Sequence, residues 1–522
     1  MNKVFEKRLT ALLATGAGSV LAGGRKGIEK ESLRVTPEGT LSSRSHPAAL
    51  GSALTNEFIT TDFSEALLEF VTPAFGSTWE ALTCLRDIHH FTYERLDDEL
   101  LWVASMPCLI TPDRDIPLAR YGDSNVGKMK TIYRRGLGYR YGRTMQTISG
   151  IHFNYSLPDA FWPAYRDARS SEMTAADFQS SEYLGLVRNF RRFGWLIPYL
   201  FGASPAVCKS FVGDVEHGLA DFDGTTLFGP YATSLRMSDL GYSNKSQSAI
   251  NISLNSLDEY IDGLSAAIDT PDPAYEEIGV RVDGRYRQLS ANKLQIENEY
   301  YSPVRPKRVA HSGERPTSAL RRGGIQYVEI RSLDLSLVDP IGISQNTMRF
   351  VEAFLIYCLL SESPPITDEE CRELASNHVA AAKRGREPGL ELGRHGRAVL
   401  LADWGAEIFT GIEAIAQQID AEAGTNDYTA ACAQLRTLLD DPEATPSARI
   451  LDDLRTRDVG FFHYALECAQ NAKNYFRRLP PLSSERERQL VGEAEASHRR
   501  QAEIEASDSQ SFEDYLAGYY AS

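Results

Sequence analysis

Several signatures are missing from this chain. No two of its seven cysteines (Cys84, Cys108, Cys208, Cys358, Cys371, Cys432 and Cys468) stand in a C-x-x-C spacing. That removes a zinc ribbon or a redox dithiol as the organising feature. An odd, scattered set reads as mostly buried, reduced thiols of a cytoplasmic protein, with room for one disulfide. Positive charge is in deficit: 55 Lys and Arg face 71 Asp and Glu, a net −16. A nucleic-acid partner, which needs a basic face, is therefore not expected. Long apolar runs are absent too. The stretch Phe193–Cys208 holds 16 uncharged residues but contains Pro198 and Pro205, too short and too broken to cross a bilayer. At the N-terminus, Lys3, Lys7 and Arg8 precede LTALLATGAGSVLAGG, as in a signal peptide. Glu6 interrupts the basic part and Gly16 and Gly18 break the apolar part, so a short helix and a glycine turn are expected.

Nucleotide-binding signatures also fail. Gly122–Met129 follows G-x-x-x-x-G-K but ends in Met129, which cannot ligate a metal as Ser or Thr would. Gly16-Ala17-Gly18 lacks both the preceding strand and the third small residue of a dinucleotide fingerprint. Arg188–Trp195 interleaves bases with aromatics and reads as a helix packed by its aromatic face. Cys84, His89 and His90 have no triad partner and read as helix surface.

What remains is an ordinary globular composition, 42% apolar and 24% charged. No repeat or linker divides the 522 residues, so they read as one large domain, mostly helical from about residue 365. Periodicity predicts strands over Ile28–Val35, Leu67–Thr72, Ile148–Leu157, Ala249–Leu254, Leu294–Tyr301 and Ile325–Leu335. It predicts helices over Thr78–Leu96, Ser181–Phe193, Leu257–Ala267 and Gln345–Leu360. Strands separated by irregular helical insertions indicate an α+β fold.

The chemistry lies in the alternation. On a strand, Glu29 and Glu31 share a face with Leu33 and Val35. Two adjacent carboxylates repel unless a cation lies between them, and hard divalent ions favour such ligands. Taken alone the pair fits a surface edge strand with alternating Glu and Lys better than a site. The same one-sided polarity returns elsewhere: Tyr327, Glu329 and Arg331 share one face, His152, Asn154 and Ser156 share another, and Glu69 interrupts an apolar strand after Asp62. Glu297, Glu299 and Tyr301 are expected on one face of a further strand. A mostly antiparallel sheet with helices on one side and metal-bound phosphates on the other accounts for this pattern.

These segments resemble, in order, the bacterial type of the glutamate–cysteine ligase family. The resemblance rests on GIEKESLRV, TTDFSEALLEFVTP, YGDSNVGKMKTIYRRGLGYRYG, MQTISGIHFNYSLP, RFGWLIPYLFGASPAVC, PYATSLRMSDLGYSNKSQS, LQIENEYYSPVRPKR and GGIQYVEIRSLDLSLVDPIGI. It spans about residues 20 to 365 and continues more weakly to about 510. It implies a glutamine-synthetase-like funnel built on a curved antiparallel sheet. It implies Glu29, Glu31, Asp62, Glu69, His152 and Glu329 as ligands of Mg2+ or Mn2+, with Glu329 and Arg331 at the transferring phosphate. It also implies a cysteine pocket of Phe63, Tyr133, Leu137, Gln146, Tyr242 and Tyr301, Arg236 on a substrate carboxylate, and Arg134 in the same motif. The implied substrates are ATP, L-glutamate and L-cysteine, with glutathione as a candidate feedback inhibitor and a monomer as the working form. Adenine-binding residues are not identified. Two alternatives stay open: a carboxylate–amine ligase with another acceptor, and a metal-binding protein or hydrolase without ligase activity.

Overall fold

The alternating segment after Gly24 forms an 11-residue strand, β1 (Arg25–Val35), at the centre of the molecule. The computed structural model describes residues 3–16, 18–108, 112–213, 216–241, 250, 252–311 and 313–521. Around β1 lie β2 (Ile59–Thr61), β3 (Leu67–Val71), β4 (Leu100–Leu101), β5 (Ile151–Ser156), β6 (Val304–Lys307) and β7 (Tyr327–Leu333). They form an antiparallel sheet in the order β6-β7-β5-β1-β3-β2, with β4 on the end of β1. The register slips between Ile330 and Leu333, the kind of irregularity that bends a strand.

One face of this sheet is a core. Ile28, Phe153, Tyr155, Val328 and Ile330 have no exposed surface and join the largest apolar cluster. Helix α1 (Thr78–Tyr93) is started by the Ser77 hydroxyl, which accepts from the Trp79 N–H, and packs against β1 and β3. Helices α3 (Ala175–Phe193), α4 (Gln345–Leu360) and α5 (Leu401–Ala423) continue this layer, with α4 between the other two. Phe350, Phe354, Leu355 and Ile356 of α4 are fully buried, each contributing about 1.5–3 kcal/mol.

On the other side of the sheet runs α2 (Asn125–Tyr141), started by Ser124, whose hydroxyl accepts from the Gly127 N–H. The near-match to a phosphate loop is thus a helix cap, with Met129 buried. Helices α6 (Phe461–Arg478), α7 (Ser484–Ser507) and α8 (Phe512–Ala521) complete the chain's helical part. Among the described residues no helix is long and apolar enough to cross a membrane.

Three expectations need correction. Leu294–Tyr301 is not a strand: Glu297–Glu299 forms a 3-10 turn. Glu299 accepts locally from the Gln295 N–H at 2.7 Å, and Glu297 accepts from the more distant Arg315 at 2.9 Å. Such side-chain bonds compete with a strand ladder. The predicted strand over Ala249–Leu254 falls partly outside the described residues, and 252–254 are not in a strand. Cys84, His89 and His90 are buried rather than on the helix surface, because α1 is covered by α6 and α7 as well as by the sheet. Among the thiols, Cys108 and Cys208 form the disulfide for which the composition left room. Cys84, Cys358, Cys371, Cys432 and Cys468 are free. Arg188–Trp195 does pack by its aromatic side, with Phe190 fully buried and Arg192 paired to Glu370 at 2.6 Å.

Candidate active site

Strand register decides which side chains meet. Glu29 of β1 lies opposite His152 of β5, and Glu31 lies opposite Glu69 of β3. Glu329 of β7 lies opposite Asn154 on one side and Arg305 on the other. Opposed residues in an antiparallel pair share a face. The four strands therefore present Glu29, Glu31, Glu69, His152, Glu329 and Arg331 to one cavity of about 620 Å³.

His152 is the hub. Its Nδ1 is 3.0 Å from Glu29 and 3.5 Å from Glu329, and its Nε2 is 3.7 Å from Glu31. One ligand atom each from Glu29, His152 and Glu329 falls within 4.8 Å of the others. Arg331 stands 2.9 Å from Glu329, and Lys307 is 3.3 Å from its second oxygen. Asn154 donates to Glu29 at 2.9 Å, while its own buried amide oxygen has no hydrogen-bond partner among the described residues. The Gly150 N–H donates to Glu31 at 2.7 Å. A Cβ on Gly150 would lie 2.0 Å from the Arg236 guanidinium, so only glycine allows this approach.

Charge is unevenly settled across the site. Burial works against ionised Glu329, yet Lys307 and Arg331 hold it well below the usual carboxylate range. Burial likewise opposes Glu29, but the His152 hydrogen bond lowers it. Glu31 is pushed up by burial. Glu69 is pushed well above its ordinary value by burial and then by Glu29, Asp62 and Glu31. Carboxylates crowded this way accommodate a divalent cation. Oxygen ligands with one imidazole, and an unpartnered amide oxygen beside them, fit such an ion.

The remaining sequence-predicted residues divide. Asp62 and Glu69 line the cavity but lie outside the compact three-residue cluster. Phe63, Tyr133, Arg134, Leu137, Gln146 and Tyr301 also line it. Arg134 faces Asp62 at 3.8 Å. Arg236 is not on the wall: it is 1% exposed, donates to the Arg331 carbonyl at 2.8 Å and lies 3.7 Å from Asp334. Tyr242 lies outside the described residues.

Sequence reading missed Lys130, Arg140 and Tyr141, which join Tyr133, Arg134 and Leu137 on one stripe of α2. Their three- and four-residue spacing was the available signal. Arg140 grips Glu299 at 2.8 Å. Lys130, under burial, is pushed down to about 8. Tyr515 and Tyr519 of α8 were missed as well.

Comparison with known proteins agrees with this geometry. The family model described as glutamate-cysteine ligase matches residues 9–381. The chain is 49% identical to the glutamate–cysteine ligase of Alcanivorax borkumensis, over 99% of both chains. It is 46% identical to that of Pseudomonas putida KT2440, over 100% of this chain and 99% of the relative. Its structure is similar to a glutamate–cysteine ligase from Francisella tularensis solved in complex with AMP, with TM-score 0.90 and 36% identity. That match covers 96% of this chain and 98% of the other. A bifunctional glutathione synthetase from Pasteurella multocida is similar at TM-score 0.71 and 25% identity, over 88% of this chain and 53% of that one. The glutamine-synthetase-like α+β fold expected from the sequence is the one observed. With full-length relatives, a matching fold and an acidic sheet face in agreement, the chain belongs to the glutamate–cysteine ligase family.

Proposed function

We propose that the ATP-dependent joining of the glutamate γ-carboxylate to the cysteine amine takes place in the cavity above β1, β3, β5 and β7. A γ-carboxylate oxygen attacks the terminal phosphorus of ATP and ADP leaves. The cysteine nitrogen then attacks the resulting acyl phosphate, a proton is lost and phosphate departs. The first step is phosphoryl transfer, in which positioning and charge neutralisation do most of the work. Arg331, fixed by Glu329 at 2.9 Å, is assigned to the charge on the moving phosphoryl group.

Glu29, His152 and Glu329 are assigned as the core metal ligands, with Glu31, Glu69 and Asp62 around them. A hard divalent cation, Mg2+ or Mn2+, supplies charge neutralisation of nucleotide phosphates when bound there. Phe63, Tyr133, Leu137, Gln146, Tyr301 and Tyr242 are assigned to cysteine, with Arg134 at its edge. Arg236, which stands behind the wall and donates to the Arg331 carbonyl at 2.8 Å, keeps the substrate-carboxylate assignment that the family resemblance implies. The described site residues come from one chain, and a monomer is assigned as the working form, with the cytoplasm as its place.

The observation that carries this reading is the convergence of Glu29, His152 and Glu329 within 4.8 Å beside Arg331. The test is ADP release with glutamate and, in turn, cysteine, 2-aminobutyrate, alanine or ammonia. Cysteine is expected to be the best acceptor. Best turnover with ammonia, or ADP release independent of both amino acids, overturns the assignment.

A further inference from the structure

Helix α8 belongs to the cavity although it is distant in sequence from every acidic strand. Tyr515 and Tyr519, one helical turn apart, line it together with Val126, Met129 and Lys130 of α2. Between them, Leu516 is buried against a small apolar cluster that includes Met129 and Ile132. The placement is fixed from several directions. The Tyr520 hydroxyl donates to the Gln295 carbonyl at 2.8 Å, and Arg315 donates to the Tyr520 carbonyl at 3.3 Å. Glu513 pairs with Arg281 at 3.1 Å, and Phe512 meets the Tyr286 ring edge-on at 5.3 Å. Just before the helix, the Asn125 amide donates to the Gln510 carbonyl at 3.1 Å. The matched family model stops at residue 381, well before this helix.

Two partly buried aromatic rings on a pinned helix form a wall. The cavity they line is the one that contains Glu329 and Arg331. The ligase reading above, on which this inference rests, places an acyl phosphate in that cavity until the cysteine amine arrives. Water attacks the same carbon. Its oxygen bonds to the acyl carbon, the carbon–oxygen bond to phosphate breaks, a proton is released and glutamate is regenerated with ATP spent. Excluding water from a reactive intermediate is a recognised role of closed active sites. We infer that Tyr515 and Tyr519 are coupling residues: their rings shield the acyl phosphate from water, so that each ATP consumed yields a peptide bond.

The experiment measures ADP and γ-glutamylcysteine together, in the full chain with saturating ATP and divalent metal. The parent is expected to release ADP and form peptide one for one. Tyr515→Ala/Tyr519→Ala is expected to release several ADP per peptide and to show ADP release with glutamate alone. Tyr515→Phe/Tyr519→Phe, which keeps both rings, is expected to restore the parent ratio. Thermal unfolding confirms that the variants are folded, and Tyr519→Ala alone serves if the double variant is not. A one-for-one ratio in a folded alanine variant, with both rates falling together, overturns the inference. A parent chain that makes no peptide overturns the ligase assignment itself, a different outcome from an unchanged ratio.

Discussion

The two faces of β1 carry opposite charge and settle it differently. On the face opposite the cavity stand Lys26, Lys30 and Arg34, and all three find their partners inside the fold. Lys26 meets Glu352 at 2.8 Å, Lys30 meets His89 at 2.7 Å and Arg34 meets Glu99 at 2.9 Å. Toward the cavity point Glu29 and Glu31, joined from neighbouring strands by Glu69 and Glu329, with His152 and Arg331 among them. Here carboxylates crowd one another, and burial and then its acidic neighbours drive Glu69 well above its ordinary value. The core face is complete without a ligand. The cavity face is the one we propose to take cations and phosphates that the chain itself does not supply.

This contrast is open to direct attack. The largest effect is expected on the cavity face. Arg331→Ala should lower ligation by roughly 10³-fold or more while the thermal midpoint stays near that of the parent. A comparable turnover in the purified variant would remove Arg331 from the mechanism. Removing divalent metal by chelation should likewise abolish ADP release, and Mg2+ or Mn2+ should restore it. Next, Asn154→Ala removes the donor that orients Glu29. It should weaken apparent metal affinity by roughly 10–100-fold, read from metal titrations of activity.

On the core face the same kind of change should leave chemistry alone. Lys26→Met strands Glu352 without its ammonium, and should cost about 3–5 kcal/mol in denaturant unfolding. Turnover per folded molecule should hold, and a selective loss of turnover would break the distinction between the faces. The smallest effect concerns pH. Burial, and then the Arg34 guanidinium, push His46 down to about 4. The folded chain keeps this imidazole neutral while the unfolded chain protonates it near its usual 6.5. Its contribution is therefore whole above pH 6.5 and lost as pH falls toward 4. In His46→Asn the urea midpoint should fall less steeply over that window than in the parent.

Much of the cavity face was legible before any coordinates. A period of two makes Glu29 and Glu31 co-facial by covalent geometry alone, and the same rule placed His152 with Asn154 and Glu329 with Arg331. What the pattern could not supply was the order of strands, which sets Glu29 against His152 and Glu31 against Glu69. Glu297 and Glu299 show how alternation misleads. Arg315 and Arg140, remote in sequence, capture their carboxylates, and a turn replaces the expected strand. Arg236 illustrates another limit: its identity was evident, but not that Gly150 would let it pass behind the wall. Tyr515 and Tyr519 were hidden because an aromatic pair one turn apart is ordinary core spacing.

The spread of the lining residues along the chain governs how the site comes into being. Its parts run from Glu29 to Tyr519, so nearly the whole chain must be in place before the cavity has its full lining. Contacts of such sequence separation form slowly, because the loops they close are long. During synthesis the acidic strands emerge hundreds of residues ahead of the helix that covers them. A chain halted before α8 would carry the proposed metal ligands and Arg331 without Tyr515 and Tyr519, and on the coupling role proposed for them would spend ATP before it could conserve it.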